Sequence, residues 1–100
     1  MSVLDKQWYV YIGQSWIGTL TPTGSDHDWI YADFAQGDAW GNFAPWFQQS
    51  LAAFHRGDHD EWNKWYSQLI MMGLTIRADD GESHHHLTLH IDGSKAWFTL

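Results

Sequence analysis

Hydrophobic periodicity changes twice along this 100-residue chain, and that pattern constrains the fold more than any single motif. Apolar residues alternate at a spacing of two up to about residue 35. From about Asn42 to Gly73 they recur at spacings of three and four, and beyond that alternation returns. Strands at both ends therefore flank a helical centre.

Gln7 to Ile12 and Trp16 to Leu20 are rich in aromatic and β-branched residues, and Gly13-Gln14 between them fits a two-residue hairpin turn. That turn sets Val10 opposite Ile17 and Tyr11 opposite Trp16. Thr21 to Asp26 reads as a loop, dense in turn residues. Asp28 to Ala35 is a third strand, with Ile30, Ala32 and Phe34 on one face and Trp29, Tyr31 and Asp33 on the other.

Phe43, Phe47, Leu51 and Phe54 form one helical stripe, with Pro45 tolerated in the first turn. Gly57 closes that helix, and Asp58-His59-Asp60-Glu61 opens a second with the spacing of a capping box. Its apolar stripe is Trp62, Trp65, Tyr66, Leu69 and Ile70, and Gly73 stops it. Leu74 to Ala78 then reads as a strand. His84 to Ile91 and Lys95 to Leu100 follow as a hairpin around Asp92-Gly93. Its aliphatic side is Leu87, Leu89, Ile91, Ala96, Phe98 and Leu100; His84, His86, Thr88, His90, Trp97 and Thr99 face the other way. The expectation for residues 1–100 is one α+β domain of order β-β-β-α-α-β-β-β. It is a two-layer sandwich in which a helical hairpin covers one face of a largely antiparallel sheet.

Twelve acidic residues against five basic ones leave a net charge of −7, which argues against nucleic acid and anionic membrane as partners. No cysteine is present, so disulfides, thiol catalysis and cysteine–metal sites are excluded. The opening Met-Ser-Val-Leu-Asp-Lys lacks the apolar core of an export signal, and no apolar run approaches the ~20 residues of a membrane span. The expected compartment is the cytoplasm.

Eight tryptophans and seven histidines are the surplus to be placed. The helical aromatics and Trp8 belong to the core by their spacing. Tyr9, Tyr11, Trp16, Trp29, Tyr31, His86, His90 and Trp97 instead share the face turned away from the aliphatic side. Exposed Trp and Tyr mark interfaces. The first reading is a non-enzymatic interaction module, with Tyr9, Tyr11, Trp16, Trp29, Tyr31, His90 and Trp97 contacting another protein or a second copy of the chain. The acidic balance fits a basic partner.

Two other readings follow from the same residues. His84 and His86, two apart on a strand, point the same way and can share a divalent transition metal, although no third ligand announces itself. A solvated polar strand explains them as well, and no cofactor is required. Alternatively, a carbohydrate or small ligand stacks on the Trp/Tyr face. Enzyme signals are absent: there is no nucleophile elbow, phosphate loop or H-E-x-x-H. Asp33, on the same face as His86 and His90, is the one carboxylate that could pair with either for acid–base work, and an exposed polar residue next to Trp29 is its plainer role. Capping explains Asp58 to Glu61 better than a phosphohydrolase His-Asp pair does.

Gly24-Ser25-Asp26-x-x-Trp29-Ile30-x-Ala32-x-Phe34 and Leu89-His90-Ile91-Asp92-Gly93-x-x-Ala96-Trp97-Phe98, with the helical hairpin between them, resemble a family of short uncharacterised bacterial proteins. The resemblance covers most of the chain and implies a fold class without an activity. The family pattern includes His90 and Trp97 but not the His84-His85-His86 run.

Overall fold

The computed structural model describes residues 3–100; Met1 and Ser2, part of the segment read for an export signal, lie outside the described residues. After a 3-10 turn at Val3–Asp5 come β1 (Trp8–Ile12), β2 (Ser15–Asp26) and β3 (Trp29–Gln36), joined as an antiparallel meander. Helices α1 (Trp40–His55) and α2 (His59–Met71) follow, then β4 (Leu74–Arg77), β5 (Ser83–His84), β6 (Thr88–Asp92) and β7 (Lys95–Thr99). The seven strands form one antiparallel sheet in the order β5-β4-β1-β2-β3-β7-β6. This is the expected α+β arrangement.

That order forces the sheet to curl. β5 and β6 are its two edges, yet only His85, His86 and Leu87 separate them in sequence. Four peptide steps reach at most about 14 Å. A flat sheet of seven strands would hold its edges about 29 Å apart at the usual spacing of ~4.8 Å. The concave side is lined by Trp8, Val10, Ile12, Ile17, Leu20, Phe34, Ile76, Leu89 and Phe98, all buried. Phe47, Tyr66 and Leu69 of the helices fill it, with Trp40 bridging Phe34 and Phe47 at ring separations of 4.9 and 5.5 Å. Among the described residues, no helix is long and apolar enough to cross a membrane.

Three local expectations differ from what is observed. Thr21 to Asp26 is not a loop but the second half of β2. The strand keeps pairing with β3 because a bulge between Pro22 and Gly24 absorbs the residue that would break the register. Val10 pairs with Gly18 rather than Ile17, because a second irregularity follows the Gly13-Gln14 turn and leaves both Ile17 and Gly18 buried. The side chain missing at Gly18 is what admits the Phe34 ring, which occupies the space a Cβ would need. Finally, the strand read from His84 to Ile91 breaks into β5 and β6, since its two ends pair with opposite edges of the curled sheet.

The helical hairpin also closes the β6 edge. The Tyr66 hydroxyl donates to the Leu87 carbonyl at 2.9 Å and accepts from the Leu89 N–H at 2.9 Å. A side chain thus takes the place of the next strand's backbone at an edge that would otherwise pair with another chain. Burial raises the phenol pKa, so the group stays a hydroxyl with a donor to give. The capping box forms as expected, with Asp58 Oδ1 accepting from Glu61 N–H at 3.1 Å. Trp46 Nε1–H donates to Gln68 Oε1 at 3.0 Å and ties α1 to α2.

Replacing Tyr66 by Phe leaves two buried backbone groups without partners, and is expected to cost about 1–3 kcal/mol in urea unfolding. The same variant should speed hydrogen exchange at the Leu89 amide. Unchanged exchange there would show that the hydroxyl does not hold the edge.

Candidate functional site

On the convex face the β3–β7–β6 register sets Tyr31, Trp97 and His90 side by side, one per strand. Trp29 lies two residues before Tyr31 and so points the same way. Phe54, in the last turn of α1, reaches past the β6 edge and joins them. Trp29, Tyr31, Phe54 and Trp97 enclose a cleft of about 370 Å³ with a wholly aromatic lining. Tyr31 and Phe54 are 42% and 41% exposed, unusual for rings held in regular structure. Two other concavities are of similar volume but mixed lining. One lies beside Tyr66, His85 and His86, the other between α1 and the β6–β7 turn.

His90 lies beneath the cleft. Its ring centroid is 4.3 Å from that of Phe54, 5.7 Å from Trp29, 5.4 Å from Trp97 and 6.5 Å from Trp62 of α2. The side chain expected on an open interaction face is therefore buried, at 1% exposure, because the end of the helical hairpin wraps the edge strand that carries it. Neither of its nitrogens has a hydrogen-bond partner among the described residues, nor has the Trp62 indole N–H. Desolvation, with a smaller push from nearby His55, lowers the His90 pKa from 6.5 to about 4. At neutral pH the floor of the cleft is an uncharged imidazole.

Tyr9, Tyr11 and Trp16 do not join this site. They lie on β1 and β2, at least one strand spacing away from β3, and each has its own neighbours. Arg77 sits over the Tyr11 ring at 4.7 Å. The Trp16 indole donates to the Gly18 carbonyl at 2.9 Å and lies against Gly37. Tyr9 is half-buried.

The premise for a metal pair at His84 and His86 does not hold, because the strand ends at His84. His84 Nε2 is 2.5 Å from Glu82 Oε2, and its ring lies 5.5 Å from Trp8 on the concave side. Glu82 in turn accepts from Lys6 at 2.6 Å, and Lys6 followed by His84 holds its pKa below the usual carboxylate range. His86 instead lies beside His85, with ring centroids 4.3 Å apart, in the exposed link between the sheet edges. Among the described residues no group of three or more His, Asp or Glu side chains converges as a metal site. Asp33 accepts from Lys95 at 2.5 Å across the β3–β7 pair.

Helical spacing puts Phe54 on the core stripe and so conceals its place in the cleft. The available signal was its position three residues before Gly57, where the stripe outruns the sheet it covers. Comparison with protein-family models, with curated proteins and with solved structures gave no match.

The depressed pKa fixes a pH dependence. Above about 6.5 His90 is neutral in both folded and unfolded chains. As pH falls toward 4 the unfolded chain takes up a proton that the folded protein refuses, so stability is lost across that window. Between pH 7 and 4.5 this loss comes to about 2–3 kcal/mol. Urea unfolding at the two pH values should show that gap shrinking by this amount in His90→Phe; an equal gap in both proteins would contradict the assignment.

Proposed function

We propose that this chain is a non-enzymatic protein-interaction module that seats a side chain of a basic partner in the cleft between Trp29, Tyr31, Phe54 and Trp97. The observation that carries this reading is the cleft itself: four large rings, two of them well exposed, converging on a face that the helical hairpin leaves open. Three of the rings are fixed by strand register, so little ordering cost remains when a partner arrives. Buried Trp and Tyr anchors of this kind dominate the energetics of protein interfaces.

The electrostatics favour a basic protein over a second copy. Two chains of net charge −7 repel as they approach, whereas a cationic surface is steered toward the face. Nothing in the cleft supplies a nucleophile or an acid–base pair. Asp33 is engaged by Lys95, and His90 is buried.

Replacing Tyr31 by p-benzoylphenylalanine and irradiating in cells is the direct test, with exposed Gln14 as the control position. The expected product joins the chain to a net-basic protein, appears at position 31 and not at 14, and falls about tenfold in Trp29→Ala and Trp97→Ala. Circular dichroism checks that both variants remain folded. A product of twice the chain mass, equal products at both positions, or none would each overturn the reading.

A further inference from the structure

Resting on that reading, we infer that the group seated in the cleft is the guanidinium of an arginine side chain, held by cation–π contact with Trp29, Tyr31 and Trp97. Aromatic rings present a negative face, and a cation within about 6 Å of a ring centroid is attracted to it. The protein already pairs its own cations in this way. Lys6 lies 5.1 Å over Trp8, Lys64 5.5 Å over Trp65 and Arg77 4.7 Å over Tyr11.

The other two of its five basic residues are also engaged, Lys95 with Asp33 at 2.5 Å and Arg56 near Asp58 at 3.9 Å. The cleft thus gathers four rings that none of the chain's own lysines or arginines pairs with, which leaves their faces available to a cation from another molecule.

Two features of the surroundings point the same way. Beneath the rings lies neutral His90, an imidazole with an unpaired acceptor nitrogen and no positive charge to oppose a cation. Near the cleft, Asp26 at the end of β2 and Asp28 in the turn that follows lie beside Trp29, in a chain of net charge −7. The two carboxylates and the net charge add attraction at long range.

Arginine fits better than lysine. Its flat, weakly hydrated guanidinium stacks on wide aromatic surfaces, whereas the lysine ammonium is compact and strongly hydrated. A purely aliphatic side chain would gain burial but would use neither the ring quadrupoles nor the negative field.

The test compares three five-residue peptides of sequence acetyl-Ala-Ala-X-Ala-Ala-amide, with arginine, its neutral isostere citrulline, or leucine at X. Binding is followed by the indole N–H resonances of Trp29 and Trp97 in the full chain, assigned with Trp29→Phe and Trp97→Phe. The arginine peptide is expected to bind about tenfold more tightly than the citrulline peptide. That preference should weaken at least severalfold in Trp97→Leu, which keeps an apolar wall but removes the ring.

Equal affinity for arginine and citrulline, or tighter binding of leucine, would overturn the cation while leaving an apolar docking cleft in place. No response to any peptide would also overturn it. In that case, photocrosslinking at Tyr31 decides whether the interaction module falls with it.

Discussion

The reach of three residues between β5 and β6 governs the shape of this protein. Because His85, His86 and Leu87 must join opposite edges of a seven-stranded sheet, the sheet bends until those edges approach each other. Bending makes one side concave, and a concave side needs large side chains to fill it. Trp8, Phe34, Phe47 and Phe98 meet that demand. The helical hairpin lies across this side, and its Tyr66 hydroxyl binds the backbone of the β6 edge. The same curvature brings Phe54 around β6 onto the convex face. The cleft's fourth wall is therefore a consequence of how the edge is covered.

His90 shows what that closure costs. Its side chain lies on the convex face by register, where a polar residue would ordinarily meet water. Wrapping the edge strand removes the water and leaves a neutral ring among Phe54, Trp29 and Trp97. A buried imidazole without hydrogen bonds is less favourable than an apolar ring of the same size at that position.

Alternation and helical spacing are enough to place the eight main segments, because each is long or strongly patterned and most of its apolar residues enter one core, while Phe54, Ile70 and Leu100 at the ends of their elements stay exposed. Ile30, Ala32 and Phe34 turned inward as the period required, and Tyr31 and Trp97 turned outward. What periodicity could not carry was the relation between distant segments. The split of His84 to Ile91 into two strands follows from sheet closure, which depends on pairings far apart in sequence. For the same reason the equivalence of His84 and His86 was an illusion of local spacing. Alternation groups Tyr11 and Trp16 with Trp29, because facing is legible from register but distance across a sheet is not. Phe54 was hidden for the opposite reason: its spacing was right for a core position, and only the end of the sheet beneath it left the ring exposed.

The aromatic content looks excessive only while the chain is treated as one core with one surface. Eight tryptophans divide among distinct tasks once the structure is known. Trp8 fills the concave side and Trp40 bridges sheet to helix, while Trp46 and Trp65 use their indole N–H groups to bind Gln68 and Glu61. Trp16 seals the start of β2 against Gly37. Trp62 stacks on Tyr66 beside the edge clamp, with ring centroids 5.2 Å apart. Trp29 and Trp97 pack over His90 at 5.7 and 5.4 Å, Trp97 also stacks on His55 at 6.5 Å, and the two meet, with Tyr31 and Phe54, in one cleft. In the proposed reading, a wholly aromatic wall over a neutral floor in an acidic chain suits a soft cation, because ring faces and net charge attract the same group.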